Sequence, residues 1–152
     1  MIAVIQRVHS ARVIADGELS GESGAGLYIL LGVTTTDTEE DARLLATKIK
    51  KLRIFSDENG KMNLSVMDVG GEVTVVSNFT LYANYAHGNR PDYLQSARPE
   101  HAEPLYERFV SFMRDEISHV STGKFGADMK TELITDGPVT IVMDSAVLRR
   151  GK

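Results

Sequence analysis

Leu27-Tyr28-Ile29-Leu30-Leu31-Gly32-Val33, followed a few residues later by Ala42, Leu45, Ile49 and Leu52, is the stretch that decides the fold. The first run is apolar at consecutive positions, the pattern of a strand covered on both faces rather than one facing water. In the second, apolar residues recur at three- and four-residue steps, which puts them on one face of a helix. Asp37 with Glu40 matches a capping box at the start of that helix.

Working outward, the β-branched Ile2 to Val8 reads as a strand. A second strand, Arg12 to Ala15, meets Asp16-Gly17, a dipeptide whose tolerance of positive φ suits a two-residue hairpin. Beyond the first helix, Ile54-Phe55 predicts a strand entering a turn at Asp57 to Gly60. Glu72 to Val76 alternates with Val73 and Val75 on one side and leads straight into Ser77. A second helix is predicted from about Pro99 to Ile117, burying Ala102, Leu105, Phe109 and Phe112, with Pro99 in its first turn and Pro104 as a point of kinking. Two last strands, Ala127 to Ile134 and Val139 to Met143, are expected on either side of a turn at Thr135-Asp136-Gly137-Pro138. Strands outnumber the two main helices. No repeat, linker or low-complexity tract divides the chain, so the expectation is one α+β domain over residues 1–152.

Composition narrows the function. Seventeen basic against twenty-one acidic side chains give a net charge of −4, which disfavours any protein that grips nucleic acid by bulk neutralisation of phosphate. It leaves room for an enzyme that touches only the end of an RNA, steered by a few local cations such as Lys48, Lys50, Lys51 and Arg53. Those four also fit the solvated face of a helix. The absence of cysteine removes disulfides, thiol nucleophiles and thiolate metal sites. Met1 to Val8 lacks the charged start and apolar stretch of a signal peptide, and Leu27 to Val33 is far shorter than the roughly 20 residues that span a bilayer. A soluble cytoplasmic protein with no membrane partner is expected.

Few residues are candidates for chemistry. His9, His87, His101 and His119 contain no pair at the spacing that sets two imidazoles on one helix face, so no metal site is expected. Gly21-Glu22-Ser23-Gly24 does not have the spacing of a nucleophile elbow, and no glycine-rich phosphate loop occurs, so no nucleotide cofactor is expected. What remains is Ser77-Asn78-Phe79-Thr80 at the end of an apolar strand. These side chains either satisfy the backbone where the strand stops, or line a pocket in which successive N–H groups stabilise an oxyanion. Asp136-Gly137-Pro138 likewise reads as an ordinary turn or, with a cis Gly-Pro bond, as a rigid pair of carbonyls that could read a ligand.

Together these two segments resemble the paired signatures of the D-aminoacyl-tRNA deacylases, Ser-Gln-x-Thr and Asn-x-Gly-Pro-x-Thr. Here the first is Ser77-Asn78-Phe79-Thr80 and the second Thr135-Asp136-Gly137-Pro138-Val139-Thr140, so Asn78 stands for the glutamine and Thr135 for the asparagine. The resemblance extends to Met1 to Val8, Ser65 to Asp68, Gly88 to Pro91 and Gly123 to Met129, and so to nearly the whole chain.

The resemblance implies the deacylase fold and a homodimer in which Gly137 and cis Pro138 cross the interface into the partner's pocket. Their main-chain carbonyls would hold the substrate's α-amino group so that an L side chain collides with the wall. It implies hydrolysis of D-aminoacyl-tRNA, and of mischarged glycyl-tRNA as a further possibility, with no cofactor and no DNA partner. Main-chain N–H groups around Phe79 and Thr80 would polarise the ester, the 2′-hydroxyl of the terminal ribose would assist water, and Thr80 would position rather than attack. Arg7 would anchor the Gly-Pro motif from below, with Thr135 beside it, while Phe125 and Ala102 would lie near the terminal adenosine. Two alternatives stay open at this point: an editing module for a mischarged L-aminoacyl-tRNA, and a non-catalytic binding protein of the same fold.

Overall fold

The computed structural model describes residues 1–151. A 14-residue strand, β1 (Ile2–Ala15), is its spine. It turns through Asp16 and Gly17, both at positive φ, into antiparallel β2 (Glu18–Ser23), the hairpin expected of Asp-Gly. β3 (Gly26–Gly32) returns along the other half of β1, and β6 (Glu72–Ser77) and β7 (Val120–Thr122) add parallel strands beyond it. β2 then approaches β7: Ser20 Oγ donates to the Thr122 carbonyl at 3.1 Å, and a Cβ on Gly21 would stand 2.5 Å from that oxygen. The sheet therefore nearly closes into a barrel, and glycine is what lets its edges approach.

The helices cover one side. α1 (Glu39–Lys50) buries Ala42, Leu45 and Ile49 as its period requires, and packs against α2 (Pro99–Arg114), which buries Ala102, Phe109 and Phe112 together with Tyr106 and Met113. Both pack into a core with Ile5, Ile29, Leu31, Val73 and Val75 from the sheet. A short hairpin, β4 (Phe55–Ser56) with β5 (Met62–Leu64), sits outside the main sheet, and α3 (Ser145–Arg150) ends the described chain against α1. The Met1 amine, buried here, donates to Asp37 Oδ1 at 2.6 Å and to Ser145 Oγ at 2.8 Å, linking the start of β1 to α1 and α3.

Several expectations are corrected. The predicted strands Ile2 to Val8 and Arg12 to Ala15 are one strand. The two predicted last strands are also one, β8 (Met129–Asp144), and Thr135 to Pro138 is not a hairpin turn. Both halves of β8 pair with β1 in the same antiparallel sense, Gln6 opposite Thr140 and Val8 opposite Thr135, so Asp136 to Val139 bulge out of the ladder opposite Arg7. Turn-type residues made the bulge look like a reversal because turns and bulges need the same backbone freedom.

The capping box is Thr38 with Asp41, one residue later than Asp37 with Glu40, because Asp37 is instead buried against the amine of Met1. α2 stops at Arg114 rather than Ile117, and it runs through Pro104 without a break. Strand β4 begins at Phe55, one residue after the predicted start. Lys50 is neither a steering cation nor on a solvated face. It is buried, with Nζ donating to the Phe112 carbonyl at 2.8 Å and paired with Glu116.

Candidate active site

β6 ends at Ser77, and the chain passes at once into a single 3-10 turn, Phe79–Tyr82. Asn78 caps it: its Oδ1 accepts from the Thr80 N–H at 3.2 Å and from Thr80 Oγ1 at 2.5 Å. This is the capping role that short polar side chains fill at helix starts. It uses up the Thr80 amide, while the Phe79 N–H has no hydrogen-bond partner among the described residues. The turn is also held from outside. Ser96 Oγ donates to the Phe79 carbonyl at 2.7 Å, and the Phe79 ring meets Tyr93 edge-on at 5.1 Å between centroids.

Ser77, Asn78, Phe79, Ala102 and Phe125 all line one cleft of about 700 Å³. That size suits a nucleoside with an attached amino acid. Five of the residues predicted from sequence are thus brought together. Thr80 is exposed, its hydroxyl is committed to Asn78, and it does not line the cleft. The sequence reading missed Tyr28, Tyr93, Arg98, Tyr106 and Thr131 in the lining. Tyr28 looked like one more apolar member of a buried strand, and Tyr106 was not among the residues expected on the buried face of α2. Tyr106 is held by its hydroxyl, which donates to the Val75 carbonyl at 2.9 Å, and its ring lies 5.9 Å from that of Phe125. Burial pushes the phenols of Tyr28 and Tyr106 above the usual tyrosine range, so both stay protonated donors.

The lining contains hydroxyls, aromatic rings and one cation, Arg98, with no carboxylate or imidazole among the described residues. Nor do three His, Asp or Glu side chains converge as a metal site among them. The polar groups that face the cleft can donate hydrogen bonds to an ester carbonyl and to ribose hydroxyls.

Arg7, Thr135, Gly137 and Pro138 are not among the residues that line this cleft. The Gly137–Pro138 bond is cis, and Gly137 has φ +141°, where an added Cβ would stand 2.4 Å from the Val139 nitrogen. Gly137 and Pro138 are both exposed at the tip of the β8 bulge. Behind them Arg7 Nε donates to the Asp136 carbonyl at 3.2 Å and pairs with Asp136 Oδ2 at 2.9 Å, while its other end donates to the Ile54 carbonyl at 2.6 Å. His9 stands 3.6 Å from Asp136 Oδ1.

Comparison with known proteins gives the family and the fold. The family described as D-Tyr-tRNA(Tyr) deacylase matches residues 4–144. A D-aminoacyl-tRNA deacylase of Chloroflexus aurantiacus is 57% identical over 149 residues, covering 98% of this chain and 93% of that protein. One of Halalkalibacterium halodurans is 52% identical over 145 residues, covering 95% and 99%. Among solved structures, the c-Myc DNA Unwinding Element Binding Protein superposes with a TM-score of 0.89 at 39% identity over 95% of this chain and 98% of its own. A probable eukaryotic D-amino acid tRNA deacylase superposes at 0.82 with 16% identity over 94% and 98%, a likeness of fold.

Proposed function

Since the chain belongs to the D-Tyr-tRNA(Tyr) deacylase family and is a hydrolase of the aminoacyl-tRNA ester bond, we propose that it proofreads chirality as a cytoplasmic homodimer, each pocket being completed by Gly137 and Pro138 of the partner subunit. The observation that carries this reading is the split of the site. Ser77 to Phe79 line a cleft, whereas Gly137 and Pro138 are exposed, are not among the residues that line it, and follow Asp136, which Arg7 braces. A second copy is what brings the two together.

The edge of β8 supports that occupant. Among the described residues β8 pairs only with β1, which leaves its other edge unpaired along a 16-residue strand, and it carries Ile134 and Val142 with 62% and 68% of their surface exposed. A long unpaired edge is a template for pairing with another chain, and a two-fold dimer covers the same edge on both copies.

Within the completed pocket the carbonyls of Gly137 and Pro138 accept from the substrate's α-ammonium. That fixes the α-carbon so that a D side chain points to open space and an L side chain meets the wall. A glycine ester has no side chain to reject, so glycyl-tRNA is a second substrate on this reading. Ala102 and Phe125 flank the terminal adenosine, and Thr135 closes the bulge where the family's asparagine stands.

The Phe79 N–H donates to the ester carbonyl oxygen and stabilises the oxyanion as water adds to the carbonyl carbon. The ribose 2′-hydroxyl orients that water. The bond from the acyl carbon to the ribose 3′-oxygen then breaks, the ribose oxygen takes up a proton, and free D-amino acid and tRNA leave. Ser77 and Asn78 shape the turn, and Thr80 locks it through Asn78.

Mixed dimers test the arrangement. Ala102→Trp fills the pocket and Gly137→Val distorts the motif, so each homodimer is inactive. A heterodimer of the two retains one intact pocket facing one intact motif and recovers turnover. A site built within a single chain leaves the mixture inactive.

A further inference from the structure

A second groove lies on the helical side of the molecule, away from the cleft. It is lined by Arg43, Lys48, Lys51 and Arg53, with an apolar floor that includes Leu52 and Leu148, and has a volume of about 610 Å³. Lys48, Lys51 and Arg53 are exposed, in a protein whose net charge is −4. Lys48 and Lys51 stand at the i, i+3 spacing that sets Cβ atoms roughly 5–6 Å apart.

The nearby negative charges offset only part of this patch, Asp68 lying near enough to Arg53 and Glu116 to Lys51 to attract them. Glu39 and Glu40, the latter in the groove's lining, both approach Arg43, and Glu39 is shared with Arg108, so these two acids are engaged by Arg43 and Arg108. Glu116 is paired with the buried Lys50. The end of α1 contributes about half a negative charge, which three cations outweigh. Arg53 is tethered by Nε to the Asn63 carbonyl at 2.7 Å, which fixes its guanidinium at the groove's rim.

The position of the groove gives it a purpose. Arg53 is one residue from Ile54, whose carbonyl accepts from Arg7, and the same guanidinium holds Asp136 beside Gly137 and Pro138. The cationic groove and the Gly-Pro bulge are therefore two ends of one braced unit. We infer that Lys48, Lys51 and Arg53 bind the phosphate backbone of the substrate RNA whose aminoacylated end sits at the Gly137–Pro138 motif. This rests on the deacylase reading for the identity of the RNA, but not for its chemistry, which is a run of phosphodiesters met by fixed cations. Such a contact also reconciles an acidic protein with a nucleic-acid substrate, since only a local patch has to be basic.

The test compares the wild type with a Lys48→Gln/Lys51→Gln/Arg53→Gln variant, and with an Arg12→Gln control that removes an exposed cation toward the far end of β1. Equilibrium binding of uncharged tRNA is measured over a series of salt concentrations. The triple variant is expected to bind about tenfold more weakly at low salt, with the slope of log affinity against log salt reduced by about two, and the control to match the wild type. Thermal melting checks that all three are folded. In parallel, the triple variant should lose kcat/KM on D-aminoacyl-tRNA through KM while cleaving a D-aminoacyl-adenosine fragment at the wild-type rate. Equal tRNA affinity and salt slope in wild type and triple variant, or an equal loss in the control, overturns the inference. A wild type that binds tRNA through the groove but cleaves no D-ester leaves this contact standing and removes the deacylase reading instead.

Discussion

Arg7 holds Asp136 twice, through the side-chain carboxylate at 2.9 Å and through the main-chain carbonyl at 3.2 Å. Because Asp136 immediately precedes Gly137, one guanidinium rising from the middle of β1 fixes the base of the bulge that the proposed mechanism depends on. The bulge falls opposite Arg7, where the ladder between β1 and β8 is interrupted. The interruption is thus occupied by a planar cation with several donors instead of being left as unpaired backbone.

Removing that brace should affect catalysis more than folding. Arg7→Ala is expected to cost about 1–2 kcal/mol of stability, since one partner is buried and the other partly exposed. It should also lower kcat/KM on a D-ester by at least about tenfold as the motif loosens. Arg7→Lys keeps the charge but not the fork geometry, and should recover stability more fully than activity. Urea denaturation and steady-state deacylation, measured on the same preparations, check both halves.

Gly137→Ala should lower the preference for D over L substrates. At φ +141° an added Cβ meets the Val139 nitrogen at 2.4 Å, so the bulge has to move. A residue forced into such a region costs roughly 1–3 kcal/mol, which the exposed bulge can relieve by shifting its two carbonyls. The melting temperature is therefore expected to fall modestly, while L-ester hydrolysis rises relative to D. Unchanged discrimination would show that the motif does not set chirality.

The turn at Asn78 separates positioning from nucleophilic attack. Asn78→Ala removes the acceptor for both the Thr80 amide and hydroxyl, and should cost about 0.5–2 kcal/mol together with a fall in kcat, because the Phe79 N–H loses its fixed direction. Thr80→Ala removes only the hydroxyl of that cap, and should keep turnover within about tenfold of the wild type. A folded, tRNA-binding Thr80→Ala protein with no turnover would make Thr80 a direct participant.

Charge on the β8 edge should dissolve the proposed dimer. Ile134→Lys with Val142→Lys places two cations on an edge that the proposed interface covers. Sedimentation is expected to show monomers that keep the wild-type circular dichroism spectrum but have lost deacylation. Monomers with full activity would place the whole site within one chain.

Much of this was readable from residue pattern. The consecutive apolar residues of β3 and the helical period of α1 follow from burial alone, and Asp16-Gly17 is a hairpin that its own φ preferences impose. What sequence could not supply was the long-range pairing. β1 read as two strands because the β-branched run stops at Val8 and resumes at Arg12, and β8 because Thr135 to Pro138 read as a turn; only the pairing of both halves of β8 with the same strand shows them to be continuous.

The cleft was visible as Ser77 to Phe79 but not as Tyr28, Tyr106 or Thr131. Those three reach it from strands and a helix remote in sequence, and their types are ordinary for where they sit. Lys50 was misread for the opposite reason. A lysine in a basic run looks solvated, and its burial depends on a carbonyl, that of Phe112, that sequence alone could not bring to it.

The measurement that tests the account most directly is release of tyrosine from D-tyrosyl-tRNA and L-tyrosyl-tRNA, followed in parallel over the uncatalysed background with the purified protein. Rapid loss of the D-ester with the L-ester decaying at its background rate is the predicted result, and it would show that Asn78 and Thr135 serve in place of the family's usual amides. Equal loss of both esters, or loss of neither, would contradict the proposed chiral proofreading.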